Sequence, residues 1–97
     1  MIAIVHNLVG MLHATMAVYY AYIDRAPIFI IGATGPMEET ERRPNIDWIH
    51  TAASQGEAYR DFTKWDYQPT GIDGVPEAFL RAYSVMMTQP QGPIYMC

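Results

Sequence analysis

Two short, unbroken apolar runs constrain this chain more than anything else in it: Met1–Val5 (Met-Ile-Ala-Ile-Val) and Ile28–Ile31 (Ile-Phe-Ile-Ile). Runs this short and this rich in β-branched residues suit strands buried on both faces. Between them, from Gly10 to Asp24, the pattern turns helical. Leu12, Met16, Tyr19 and Ile23 recur at steps of three and four, and Gly10, Ala14, Ala17 and Ala21 form a second stripe of small side chains. Such a helix can press close to neighbours on two sides, and we expect both stripes to be ordinary core packing. Asp24-Arg25-Ala26-Pro27 ends it, because the residue before a proline is driven out of the α region. Strand, helix, strand in that order implies a right-handed crossover and a parallel sheet.

The rest of the chain extends the pattern. Met37–Asn45 is polar and charged, a solvated loop or a frayed helix. Asp47–Arg60 is expected to form a short helix with Trp48, Thr51 and Ala52 inward. Phe62–Tyr67 alternates like a half-exposed strand. Gly71–Gly74 is a turn, and Val75-Pro76-Glu77 opens a second long helix with its proline in the first turn. Phe79, Leu80, Tyr83, Val85, Met86 and Met87 supply that helix's apolar side; Gln89–Pro93 stops it, and Ile94–Cys97 reads as a last strand. The expectation is a three-layer α/β unit with a mainly parallel sheet. Strands are placed near 2–6, 27–32, 63–67 and 93–96, and helices near 10–24 and 75–88.

Composition narrows the function classes. At 51% hydrophobic and 16% charged, the 97 residues are globular rather than disordered. Residues 1–23 contain no Asp, Glu, Lys or Arg, so a membrane segment has to be weighed. A spanning helix would bury His6, Asn7 and His13 in hydrocarbon, and no basic cluster flanks the segment. A signal peptide would need a basic start. A buried segment of a cytoplasmic protein is the expectation. Six Lys and Arg against ten Asp and Glu (net charge −4) argue against a nucleic-acid or anionic-membrane partner. The one cysteine, Cys97, allows no disulfide within a chain, which suits a reducing compartment.

Candidate chemistry is sparse. His6 and His13 are seven residues apart and His50 is remote in sequence, so no helical pair of metal ligands is spelled out and no metal site is expected from the chain alone. Gly32-Ala33-Thr34-Gly35 is not a dinucleotide fingerprint, and neither a phosphate loop nor a nucleophile elbow occurs. Glu38, Glu39 and Glu41 could supply a carboxylate pair, but they read as a solvated loop. Physical reasoning leaves a ligand-binding edge at the C-terminal ends of the strands, near His6–Gly10 and Gly32–Pro36.

The order of the pieces is more specific than any one of them. Gly10-Met11-Leu12-His13, a helix ending Tyr22-Ile23-Asp24-Arg25-Ala26-Pro27, the strand Ile28–Gly32, then Thr63-Lys64-Trp65 and Gly92-Pro93-Ile94-Tyr95 fall in register along essentially the whole chain. In this order the chain resembles the N-terminal, pyrimidine-binding domain of thiamine diphosphate-dependent enzymes, in the branch of acetolactate synthase, benzoylformate decarboxylase and benzaldehyde lyase. The resemblance implies an incomplete flavodoxin-like domain, truncated at both ends. It also implies a parent enzyme that uses thiamine diphosphate with Mg2+ on 2-oxo acids or related carbonyl compounds, as a lyase or transferase. The strand carrying the family's cofactor glutamate and the G-D-G segment that holds diphosphate and Mg2+ are not matched here, so this chain alone is not expected to be catalytically competent. Expected partners are the remaining domains of the parent, in a homodimer or homotetramer.

The resemblance points to three cofactor-binding positions and no catalytic one. Gly10 matches the glycine closing the loop after the first strand. His13 stands where the family usually has asparagine. Gln55 lies eight residues before Thr63, the spacing of an active-site glutamine in the benzaldehyde-lyase branch. Ala33 replaces a glutamine of the synthases, which weakens acetolactate synthase as the parent activity. From a different class, the alternative is a non-catalytic α/β interaction or assembly module on the same fold.

Overall fold

The computed structural model describes residues 1–97. β1 (Ile2–Ile4) leads into α1 (Val9–Ile23), β2 (Phe29–Ile31), a one-turn α2 (Ile46–Ile49), β3 (Asp66–Tyr67), α3 (Val75–Met87) and β4 (Ile94–Met96). Short 3-10 turns fill residues 39–41, 56–58, 60–62 and 72–74. The sheet order is β1-β2-β4-β3, and every neighbouring pair is parallel. This is the α/β architecture that the alternating apolar runs imply.

Register decides which side chains meet. Phe29 is level with Ile94, Ile30 with Tyr95 and Ile31 with Met96, and side chains alternate between the faces of a strand. Phe29, Ile94 and Met96 therefore point one way, where Ala78, Ala82 and Met86 of α3 close over them. Ile30 and Tyr95 point the other way, to Met11 and Val18 of α1 and to Tyr59. The result is three layers, with β4 buried along its whole length between two helices.

Three expectations need correcting. β1 is not buried on both faces: Ile2 is 63% and Ile4 80% exposed. β1 pairs only with β2, and α3 packs against β2 and β4, leaving β1's outer residues uncovered. The bulky stripe of α1 is also not core. Leu12, Met16, Tyr19 and Ile23 are exposed, whereas Met11, Val18 and Ala21 are buried. A helix apolar all round carries no periodic signal for its inner face. Close approach to the sheet is made instead by Met11 and Val18, with Ala14 between them. Lastly, the helix expected over Asp47–Arg60 is one turn long, and its inward residue is Asp47 rather than Trp48, which is exposed. Arg43 explains the inversion. Its backbone N–H donates to Asp47 Oδ2 at 2.8 Å, and its guanidinium grips both carboxylate oxygens at 3.1 and 3.0 Å. No helix is long and apolar enough to cross a membrane.

Candidate functional site

In a parallel sheet the loops that follow the strands gather on one rim. Here they are tied together by a single side chain. Gln55 is 2% exposed. Its Oε1 accepts from Leu8 N–H at 2.7 Å, in the loop after β1. Its Nε2 donates to Ala33 O at 2.6 Å, after β2, and meets Cys97 Sγ at 3.4 Å, after β4. The amide has only one satisfactory orientation, because turning it over would set its oxygen against the Ala33 carbonyl. Gln55 thus spans three loops from three strands.

The loop it holds is strained. Leu8 has φ 48° and ψ −60°, and Val9 N–H donates to Asn7 O at 2.5 Å across it. That is a tight γ-turn of the less common hand. A non-glycine residue held there costs about 1–3 kcal/mol, and such strain gathers at functional sites. Without Gln55 Oε1 the Leu8 N–H would lose its acceptor, so the glutamine stabilises the strained turn directly. Gly10 lets α1 start close behind it: a Cβ there would sit 3.0 Å from His6 Cβ and 3.3 Å from the Val5 carbonyl carbon.

The remaining candidate, His13, is exposed one turn along α1. Its Nδ1 donates to Val9 O at 2.8 Å, which leaves Nε2 as the free acceptor. It is not among the groups joined by Gln55. The structure does bring together two residues that sequence separation kept apart: the rings of His6 and His50 meet edge to face, 5.4 Å between centroids. His6 Nδ1 bonds to Asn7 O at 3.0 Å. His50 Nδ1 is buried without a partner, as are the hydroxyls of Thr34 and Thr51. Only the tertiary path of residues 33–51 makes this cluster, and no spacing in the sequence announces it.

The rim offers neutral donors and acceptors, not free carboxylates. Asp47 is engaged by Arg43, and that hydrogen-bonded guanidinium holds its carboxyl below the usual range. Asp66 is held low in the same way by Arg60, at 3.0 and 2.8 Å. Burial pushes the Cys97 thiol up and the Tyr95 phenol far up, so both stay protonated near neutrality. A cleft of about 230 Å3 opens on this rim beside Ser54, Arg60, Tyr67 and Cys97. Chemically, such a rim can hydrogen-bond a polar ring and exchange protons through imidazole.

The fold is a parallel α/β unit, and comparison with solved structures narrows the class. Over 98% of its length the chain superposes with a TM-score of 0.85, at 29% identity, on benzoylformate decarboxylase from Polynucleobacter necessarius, of which this spans 17%. A protein from Mycobacterium smegmatis named as a thiamin diphosphate-dependent enzyme matches as well: TM-score 0.85, 25% identity, 98% of this chain and 18% of that one. A thiamine diphosphate-dependent 4-hydroxybenzoylformate decarboxylase from Rhodococcus jostii shares the fold at TM-score 0.83 and 18% identity, over 98% of this chain and 17% of its own. No family model matches the chain. The chain therefore has the fold of part of a thiamine diphosphate-dependent enzyme of the benzoylformate decarboxylase type, spanning under a fifth of these neighbours' length.

Proposed function

We propose that residues 1–97 form part of the N-terminal, pyrimidine-binding domain of a thiamine diphosphate-dependent enzyme. Its substrates would be 2-oxo acids or related carbonyl compounds, and the rest of the machinery would come from other domains in a homodimer or homotetramer. The observation that supports this best is similarity over 98% of the chain at 25% and 29% identity to two such enzymes. The rim suits the pyrimidine end of the cofactor: it offers buried, unpartnered polar atoms and the Gly10 N–H, the one N–H of the first turn of α1 without a backbone partner. No group of three or more His, Cys, Asp or Glu side chains gathers in the structure as a ligand set for Mg2+, and the resemblance puts the diphosphate with that ion. Those would be held outside this segment.

In this reading Gly10 allows backbone to approach the ring, and His13 presents Nε2 beside it. Gln55 is a positioning residue: both its donors are spent on the chain itself, so it acts by holding the loops after β1, β2 and β4. The bound cofactor would supply a carbon nucleophile and an electron sink. This chain would orient the pyrimidine and exclude water.

The test is calorimetry of the purified chain with thiamine diphosphate, alongside turnover of benzoylformate and pyruvate in the presence of Mg2+. With half a site, binding should be no tighter than about millimolar, weaker again in His13→Ala, and turnover absent. Turnover by this polypeptide alone, or micromolar binding, would overturn the view that the segment is a partial site.

A further inference from the structure

At the opposite rim of the sheet lies a cleft of about 470 Å3, twice the 230 Å3 of the one beside Cys97. Everything that lines it lies on the N-terminal edge of the strands. Tyr22 and Arg25 come from the end of α1, Thr63 and Lys64 from just before β3, and Pro90 and Gln91 from just before β4. No acidic residue lines it. In a chain of net charge −4 with only six Lys and Arg, two of the six meet here.

Arg25 is unusual in two independent ways. First, it stands where a glycine belongs. Arg25 N–H donates to Tyr22 O at 3.2 Å and Ala26 N–H to Ala21 O at 2.8 Å, the paired bonds of a Schellman cap. The cap puts Arg25 at φ 55°, a left-handed conformation that glycine adopts freely and arginine does not. Second, its guanidinium is unpartnered. Arg43 and Arg60 hold carboxylates, Arg42 and Arg81 lie over Trp48 and Trp65, and Lys64 donates to the carbonyls of Val85 and Thr88. Arg25 makes no such contact. Its nearest acidic neighbour in sequence, Asp24, does not line the cleft. Lys64 is fixed by its two carbonyls, and its stem lies against Gly92, where a Cβ would come within 3.1 Å of it. Two cationic side chains line the one cleft, Arg25 with its fork free and Lys64 with one ammonium N–H left over from its two carbonyls, and together they suit a small dianion.

We propose that this cleft binds a small dianion, a phosphoryl group or a dicarboxylate, at a site separate from the rim that Gln55 organises. The site does not depend on the thiamine diphosphate reading and can fail or stand without it.

The experiment is a titration of the 15N-labelled chain with inorganic phosphate, followed by amide shifts, against sodium chloride of matched ionic strength. Shifts at residues 22–25, 63, 64 and 91 should saturate with a Kd on the order of a millimolar. Malonate in a parallel titration shows which dianion is preferred, and saturation by either supports the site. Arg25→Gly removes the guanidinium while relieving the left-handed backbone, so it should fold with an unchanged or higher Tm and bind at least tenfold more weakly. Shifts that stay linear, that centre on His6–Gly10, or that persist undiminished in Arg25→Gly would overturn the proposal.

Discussion

The two faces of the sheet are built by different means. On the α3 face, Phe29, Ala78, Ala82, Met86, Ile94 and Met96 form an apolar cluster joined by Ile31, Trp65, Phe79 and Val85. On the α1 face the apolar cluster is threaded with polar ties. The Tyr59 hydroxyl donates to Met11 O, Thr15 Oγ1 to the same carbonyl at 3.2 Å, and Thr63 Oγ1 to Tyr59 O at 3.0 Å. Gln55 then anchors the loops beyond. An apolar cleft of about 110 Å3 remains between α1 and β1–β2, where Ala14 and Ala17 are too small to fill it. The first cluster is held chiefly by non-directional burial, which tolerates volume-conserving exchanges best. The other is held in addition by directional bonds that fix particular atoms, as the proposed binding rim requires. The residues with candidate chemistry, His6, Gly10, His13 and Gln55, all lie on or above the second face.

If that contrast is right, the most damaging change to the molecule is a polar one on the α1 side. Gln55→Glu keeps shape but loses both donors, and it sets a carboxylate against the Ala33 carbonyl in a site that is 2% exposed. A buried, unpaired charge costs about 3–5 kcal/mol. Desolvation raises the pKa of this Glu above its unfolded value near 4.3. Its native state then binds more protons than the unfolded chain, so the loss grows as pH rises through that folded pKa and fades at pH 4. Urea midpoints at pH 4 and 7 would show it, and a pH-independent loss would mean that Gln55 is not held as described. Next, the α3 face should respond to volume alone. Met86→Ala should cost about 2–4 kcal/mol with no pH dependence, whereas Tyr59→Phe, which deletes one hydroxyl on the α1 face, should cost about 1 kcal/mol. Thermal unfolding ranks the two, and a larger effect for Tyr59→Phe would erase the distinction.

A smaller effect is expected from acid. Asp47 and Asp66 are both held below the ordinary carboxyl range by arginine partners. Their unfolded pKa is near 3.9. Above that value both states are ionised and the pairs contribute their full stability. As pH falls through the lowered folded pKa, the contribution disappears. Stability should therefore decline on acidification below about pH 4–5, and less steeply in Asp47→Asn. An equal slope in that variant would show that the Arg43 pair is open in solution.

How much of this was legible in the sequence depended on whether a segment carried contrast. The β-α-β order, the parallel sheet and α3 were readable because apolar runs and polar breaks alternate there. So was the rim, which topology dictates once the strands are parallel. The inner face of α1 was not readable, because Val9–Ile23 contains no charged residue to mark an outside. Asp47 was hidden for the opposite reason: its burial is caused by Arg43, and a charged residue with a partner does not look like core. The His6–His50 contact was invisible because it depends on how an irregular loop returns, which neither periodicity nor turn chemistry fixes. Gln55 is legible only through family resemblance, and its bonds to Leu8, Ala33 and Cys97 belong to the fold alone.

The smallest expected effect is the most informative about the outer surface of α1. Leu12 is 54% and Met16 55% exposed, so neither contributes much to the folded chain by burial. Exchanging either for glutamate changes helix propensity little, and surface substitutions of this kind usually stay within about 0.5 kcal/mol. Leu12→Glu should also place a negative charge near the N-terminal turns of α1, where the helix dipole slightly favours it. The monomer should thus unfold at nearly the parental temperature, in contrast to Met11→Ala, whose side chain is 1% exposed one position away. Unfolding of Leu12→Glu and Met11→Ala at several protein concentrations checks this. A large, concentration-dependent drop in Leu12→Glu would mean that the bulky stripe of α1 is covered by another surface in solution. In that case the difference between the two sides of the helix would lie in the partner, not in the chain.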